Sequence, residues 1–200
     1  MIYTYRINGL IVQTGDIICT TDGAEGIVPG EFWRLIGKLI PGPVDHIAIY
    51  VGPRGRCVES GAKGVITFEV EGDTWAAEEM RKQRGPLFDT LYGVAYPLID
   101  KGFSEEEEAK IRIGVANYCL AQAAANKPYN LNFLDSYTED AFYCSQLAYR
   151  AYLPYGIDLN TGQGVPNVKG TSSIIFPQEI WSSCVHRRAT ESNTDSQHPS

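Results

Sequence analysis

The 200-residue chain predicts an α+β fold, an antiparallel sheet or barrel packed against a helix that carries a candidate nucleophile, and three observations predict it. Between Asp45 and Leu98, apolar residues alternate with period two in short runs separated by Gly- and Pro-containing turns, the pattern of half-buried antiparallel strands. From Ser104 onward the period lengthens to that of helices. A composition 44% hydrophobic and 20% charged supplies enough apolar surface for one core, so residues 1–188 are expected to form a single domain and residues 189–200 a disordered polar tail.

Thr14-Gly15-Asp16 reads as a turn and Ile17-Ile18-Cys19 as a short strand. Residues 23–43 form a punctuated connection holding a short helix, Glu31 to Ile40, with Phe32, Leu35, Ile36 and Leu39 on one face. Asp45 to Val51 is a strand, Gly52-Pro53-Arg54-Gly55 a turn, and Arg56 to Ser60 the returning strand. Val65 to Val70 and Val94 to Leu98 complete what reads as an antiparallel meander. Ser104 with Glu107 makes a capping box, and the carboxylates Glu105 to Glu108 suit the positive end of a helix that runs to about Asn126. That acidic run is a solvated cap. A second helix starts near Tyr143-Cys144 and stops at Pro154.

Charge and cysteine usage narrow the chemistry. With 17 Lys+Arg against 24 Asp+Glu, the net charge is −7, which disfavours nucleic acid and anionic membrane as partners. No run of about 20 apolar residues predicts an integral membrane segment, and Met1 to Arg6 lacks the order of a signal peptide, so a reducing cytoplasmic setting is expected. Five cysteines, Cys19, Cys57, Cys119, Cys144 and Cys184, form no metal-binding or disulfide spacing. Nor is there a Gly-x-Ser-x-Gly elbow, a phosphate loop or a His-Glu-x-x-His pair, and Gly162-Gln163-Gly164 lacks the rest of a dinucleotide fingerprint. No cofactor and no metal is expected.

Cys144 is the cysteine best placed for reactivity, because a helix N-terminus favours thiolate. Its neighbours at helical spacing, Leu147, Ala148 and Ala151, turn it inward, and the same position suits a buried structural cysteine. Only three histidines exist, His46, His186 and His198, and the last two lie in or beside the polar tail. His46 shares a strand face with Ala48 and Tyr50, and Glu59 follows one hairpin later. If the strands pair, Glu59 can orient the imidazole and leave its other nitrogen for a thiol; a hydrogen-bonded core pair is the other reading.

Three segments together resemble the circularly permuted branch of the NlpC-type, papain-like cysteine peptidases, the YiiX-like group. They are Gly15-Asp16-Ile17-Ile18; Asp45 to Gly52 followed by Val58-Glu59-Ser60; and Tyr143-Cys144-Ser145-Gln146-Leu147 through Tyr152. The order is diagnostic, since His46 precedes Cys144 by 144 − 46 = 98 residues, whereas the cysteine comes first in ordinary papain-like enzymes. The resemblance implies a circularly permuted papain-like (NlpC-type) fold, with Cys144 as nucleophile, His46 as general base and acid, and Glu59 orienting His46. A tyrosine upstream of the cysteine often serves the oxyanion site in this group; Tyr129 stands there, with Tyr137 and Tyr143 nearby. The implied activity is a thiol hydrolase, or cysteine peptidase, cleaving amide bonds in small cell-wall-type peptides. An acyltransferase or amidase acting on a lipid or N-acyl substrate is the second expectation, and a non-catalytic binding module the third.

Overall fold

Strand alternation sorts the apolar residues onto two faces of one sheet. In a computed structural model that describes residues 1–22 and 42–189, a curled antiparallel six-stranded sheet runs in the order β6-β5-β4-β3-β7-β8. Its strands are β3 (Ile17–Thr21), β4 (His46–Gly52), β5 (Arg56–Gly61), β6 (Gly64–Glu69), β7 (Thr90–Tyr96) and β8 (Val185–Arg188). A separate hairpin pairs β1 (Thr4–Ile7) with β2 (Leu10–Gln13). Four helices accompany them among the described residues: α1 (Ala77–Arg84), α2 (Glu105–Ala124), α3 (Cys144–Tyr152) and α4 (Pro177–Ser183). None is long and apolar enough to cross a membrane.

One face gathers Ile17, Cys19, Ile47, Ile49 and Val58 against Val115 and Cys119 of α2 and Leu147, Ala148 and Tyr152 of α3. The opposite face gathers Ile18, Ala48, Tyr50 and Cys57 against Val12, Trp75 and Met80. The sheet is therefore covered on both sides, and every residue of β4 is buried. Its polar first residue, His46, must find its partners inside the protein.

The expected meander holds from β3 to β6 and then fails. β7 does not continue beside β6 but crosses to the far side of β3, where Ile17 faces Ala95. The intervening α1 covers the second face and carries the chain across it. The predicted strand from Val94 to Leu98 is likewise shifted, beginning at Thr90 and ending at Tyr96, because Pro97 has no N–H to continue the ladder. The helix expected at Ser104 is α2, with its capping box formed. Glu105, Glu106 and Glu107 are exposed, while Glu108 pairs with Arg112 at 2.8 Å. Residues 23–41, including the expected helix from Glu31 to Ile40, and the tail beyond Ala189 lie outside the described residues.

Two buried links tie the sheet to its surroundings. Arg112 of α2 reaches Asp16 Oδ1 at 2.7 Å, and Tyr152 of α3 donates to the Gly15 carbonyl at 2.5 Å, so the turn before β3 is clamped by both helices. At the other edge, Val65 N–H donates to the Lys127 carbonyl at 2.8 Å, docking the segment that leads into Tyr129. Gly64 makes that approach possible: its φ is +78° and an added Cβ would lie 2.5 Å from the Lys127 oxygen. Gly64→Ala is therefore expected to lower the unfolding free energy by about 1–3 kcal/mol. Urea titration reads this directly, and an unchanged midpoint would show that the 127–129 segment yields without cost.

Candidate active site

His46 and Glu59 meet across β4 and β5. The register that sets Ile49 opposite Val58 carries Glu59 to the level of Ala48, so the imidazole reaches it diagonally, Nε2 to Oε2 at 2.9 Å. Both side chains are fully buried. An ionised carboxylate can only accept, so the ring donates from Nε2 and presents Nδ1 as an acceptor when neutral. Nδ1 completes no hydrogen bond of its own. Cys144 is also near enough to the ring to favour the imidazolium when its sulfur is ionised. The fold thus brings a thiol, an imidazole and a carboxylate together.

The electrostatics follow from these partners. Burial alone would lower the His46 pKa, but the adjoining Cys144 and the Glu59 carboxylate override it and push it up to about 10. Glu59 shows the mirror image: burial opposes its ionisation, but the Arg84 guanidinium and His46 hold its carboxyl down to about 2. Arg84, the last residue of α1, contacts both Glu59 oxygens, at 3.0 and 2.7 Å, and is itself fully buried.

Cys144 is the first residue of α3 and is 5% exposed. Its placement is fixed from several directions. Gln146, at the third helical position, accepts from Tyr143 N–H at 3.1 Å and from Asn130 Nδ2 at 2.9 Å, half of a capping box joined to the preceding loop. Tyr143 Oη accepts from Ile175 N–H at 3.2 Å, while Ser145 Oγ donates to the Ile175 carbonyl at 2.6 Å. From the sheet, Ser60 Oγ donates to the Phe142 carbonyl at 2.5 Å. Ser60, next to the expected triad carboxylate, and the residues around the thiol are thus held by bonds that leave the reactive atoms out.

Tyr129 bridges Phe142 in parallel pairing beside this helix start. It is partly buried, and burial, with Cys144 and Tyr143 adding to it, raises its phenol well above the ordinary value, keeping it a neutral donor. Tyr143 is adjacent to Cys144 and its hydroxyl oxygen accepts from Ile175 N–H, and Tyr137 is 65% exposed. Of the remaining histidines, His186 sits on exposed β8 with its ring 4.1 Å from Trp181, and His198 lies outside the described residues. No group of three His, Cys, Asp or Glu among the described residues is arranged to hold a metal ion.

Sequence reasoning did not single out Arg84, Gln146, Asn130 or Ser60. Gln146 carried a readable signal, a Gln three positions into a helix that starts at a loop. Met80 and Arg84 share a helix face by their spacing, yet an Arg that follows Arg81 and Lys82 and precedes Gly85-Pro86 reads as an ordinary basic helix end.

The pKa changes fix the pH dependence of stability. Glu59 is depressed on folding, so its contribution is complete above its ordinary value of 4.5 and is lost as pH falls toward about 2. His46 is raised, so its contribution is complete below 6.5 and is lost as pH rises through about 10. Urea midpoints of the wild type minus those of Glu59→Gln should therefore narrow below pH 4.5 and narrow less between pH 5 and 8; a difference constant from pH 2 to 8 would show that Glu59 is not held ionised. Compared with family models, with curated proteins and with solved structures, the chain matches none of them.

Proposed function

We propose that the protein is a thiol hydrolase of amide bonds working through Cys144, His46 and Glu59, in a circularly permuted papain-like arrangement. One observation carries the reading: a fully buried imidazole is held through Nε2 by an ionised carboxylate, its Nδ1 has no hydrogen-bond partner, and the thiol of Cys144 at a helix start is near enough to act on the ring. A buried polar atom without a partner is uncommon unless it serves a task.

In this reading His46 Nδ1 takes the Cys144 proton, and Sγ attacks the carbonyl carbon of the amide. The developing oxyanion rests on the Cys144 N–H and the Tyr129 hydroxyl. The C–N bond then breaks as imidazolium His46 gives its proton to the leaving amine, forming a thioester. Water, losing a proton to His46, releases the acid and restores the thiol. Glu59 keeps the ring in the required tautomer throughout. Small peptides of the cell-wall type are the substrates that the family resemblance suggests.

A second reading, acyl transfer or hydrolysis on a lipid or N-acyl substrate through the same residues, has one observation in its favour. Leu131, Leu134 and Tyr137, on the loop leading into α3, are 58%, 58% and 65% exposed, an apolar surface close in sequence to the thiol. Parallel incubation with muropeptides and with acyl-lipids separates the two readings.

Thiol chemistry tests the core of the proposal. Cys144 and Cys184 are almost equally exposed, at 5% and 6%, so access alone predicts similar alkylation. Cys144 is expected to react with iodoacetamide at least tenfold faster near neutral pH, and His46→Ala should abolish that preference. Equal labelling in the wild type would sink the activated-thiol reading. Once a substrate is in hand, Tyr129→Phe should lower kcat roughly 10²-fold with KM little changed, whereas an unaffected kcat would remove Tyr129 from the oxyanion site.

A further inference from the structure

The proposed centre stops at Glu59, but the charge that Glu59 presents to His46 is decided one residue further back. Arg84 divides its guanidinium between two carboxylates: Nε and Nη2 reach Glu59, while Nη1 and Nη2 reach Asp89 Oδ1 and Oδ2 at 2.7 and 2.8 Å. Trp75 Nε1 adds a hydrogen bond to Asp89 Oδ1 at 3.2 Å. The Phe68 and Trp75 rings cover the guanidinium at 4.7 and 4.8 Å. Arg84, Glu59 and His46 are fully buried and Asp89 nearly so. One guanidinium and two carboxylates leave a net charge of −1, which an imidazolium at His46 cancels. Without Asp89, Arg84 and Glu59 would neutralise each other, and His46 would face an uncharged pair.

We propose that Asp89 is a positioning residue of the thiol centre: by engaging Arg84 from the side opposite Glu59, it leaves Glu59 with the uncompensated negative charge that keeps the proton on His46 beside Cys144. The catalytic consequence rests on the thiol-hydrolase reading, while the charge balance stands on the buried cluster alone. Among the described residues, the other titratable groups at or next to this centre are Cys144 on α3, Tyr129 beside Cys144, Glu59 on β5, Arg84 on α1 and Asp45 immediately before His46, and substitution of Asp89 leaves all of them in place. A buried charge cluster that is neutral only with a protonated histidine is a device for storing an imidazolium in a low-dielectric interior.

The test uses the full chain with isotope-labelled histidine, whose three rings are few enough to resolve by NMR. Asp89→Asn is expected to lower the His46 titration midpoint by about one pH unit or more. The double variant Arg84→Gln/Asp89→Asn removes one charge of each sign, leaves Glu59 alone at −1, and should bring the midpoint back toward the wild-type value. A role limited to bracing predicts the reverse, with the double variant further from wild type than the single one. An unmoved midpoint in Asp89→Asn, or a double variant lower than the single, overturns the proposal. Should Asp89→Asn lose cooperative melting, the double variant decides alone: a raised midpoint supports the charge balance, and one near the ordinary imidazole value of about 6.5 overturns it. Iodoacetamide labelling of Cys144 in the same samples separates the two levels. A shifted midpoint without His46-dependent labelling in the wild type would remove the thiol-hydrolase reading and keep the charge balance; His46-dependent labelling with an unmoved midpoint would do the opposite.

Discussion

A guanidinium with no solvent exposure is expensive to bury, and the second face of the sheet is organised around meeting that cost at Arg84. Two carboxylates satisfy its donors, two aromatic rings cover its faces, and the indole N–H of one of those rings steadies the more distant carboxylate. The parts come from different elements: Phe68 from β6, Glu59 from β5, Trp75 from the segment before α1, and Asp89 from the segment after it. Removing one member of such a cluster typically costs about 3–5 kcal/mol, because a charge is left buried and unpaired. The geometry is therefore over-determined. Glu59 cannot turn away without undoing its bonds to Arg84, itself fixed by Asp89, Phe68 and Trp75, and the His46 ring held by its Oε2 inherits that rigidity.

The other face solves a different problem, the placement of a helix start. Four orphan N–H groups at the beginning of α3 need partners or must stay free for use. Gln146 satisfies the Tyr143 N–H just outside the helix, and Tyr143 and Ser145 are pinned on both sides of Cys144 to the N–H and carbonyl of a single residue, Ile175. Ser60, the neighbour of Glu59, holds the Phe142 carbonyl. Adjacent residues of β5 thus serve opposite faces: Glu59 reaches toward the Arg84 cluster and Ser60 toward the approach to α3. Strand alternation, a period of two, is what allows one short strand to register a carboxylate–imidazole pair against a thiol on a different layer.

What was legible in the sequence follows from how local each interaction is. The strand from Asp45 to Val51 and the helix from Ser104 could be read because alternation, capping and acidic first turns are signals carried within ten residues. The β1–β2 hairpin had such a signal too, Asn8-Gly9 with both residues at positive φ, φ 46° and 79°, but the flanking strands of four residues alternate too briefly to stand out. The short α4 likewise begins with Pro177 and has Glu179 in its first turn. The crossing of β7 to the far side of β3 has no local mark, since nothing in Thr90 to Tyr96 says which strand will be its neighbour. Exposed β8 offers no apolar face at all. In the candidate site, His46, Glu59 and Cys144 could be named from residue type and order, whereas Arg84 and Asp89 could not, because an Arg and an Asp look solvated until the rings that enclose them are known.

Five buried cysteines would look alike by accessibility, and it is their neighbours that separate them. Burial raises the thiols of Cys19, Cys57, Cys119 and Cys184, which for Cys119 means up to about 12, and at neutral pH this keeps them protonated and inert. None of these four is among the groups that act on the His46 ring, whereas Cys144 is. In the proposed reading, passing the Cys144 proton to His46 leaves the summed charge of thiol, ring, Glu59, Arg84 and Asp89 at −1 and sets the positive ring between the thiolate and Glu59. As proposed, a nucleophile at Cys144 depends less on solvent exposure than on a partner able to hold its proton, the role assigned to His46 with Glu59, Arg84 and Asp89 behind it.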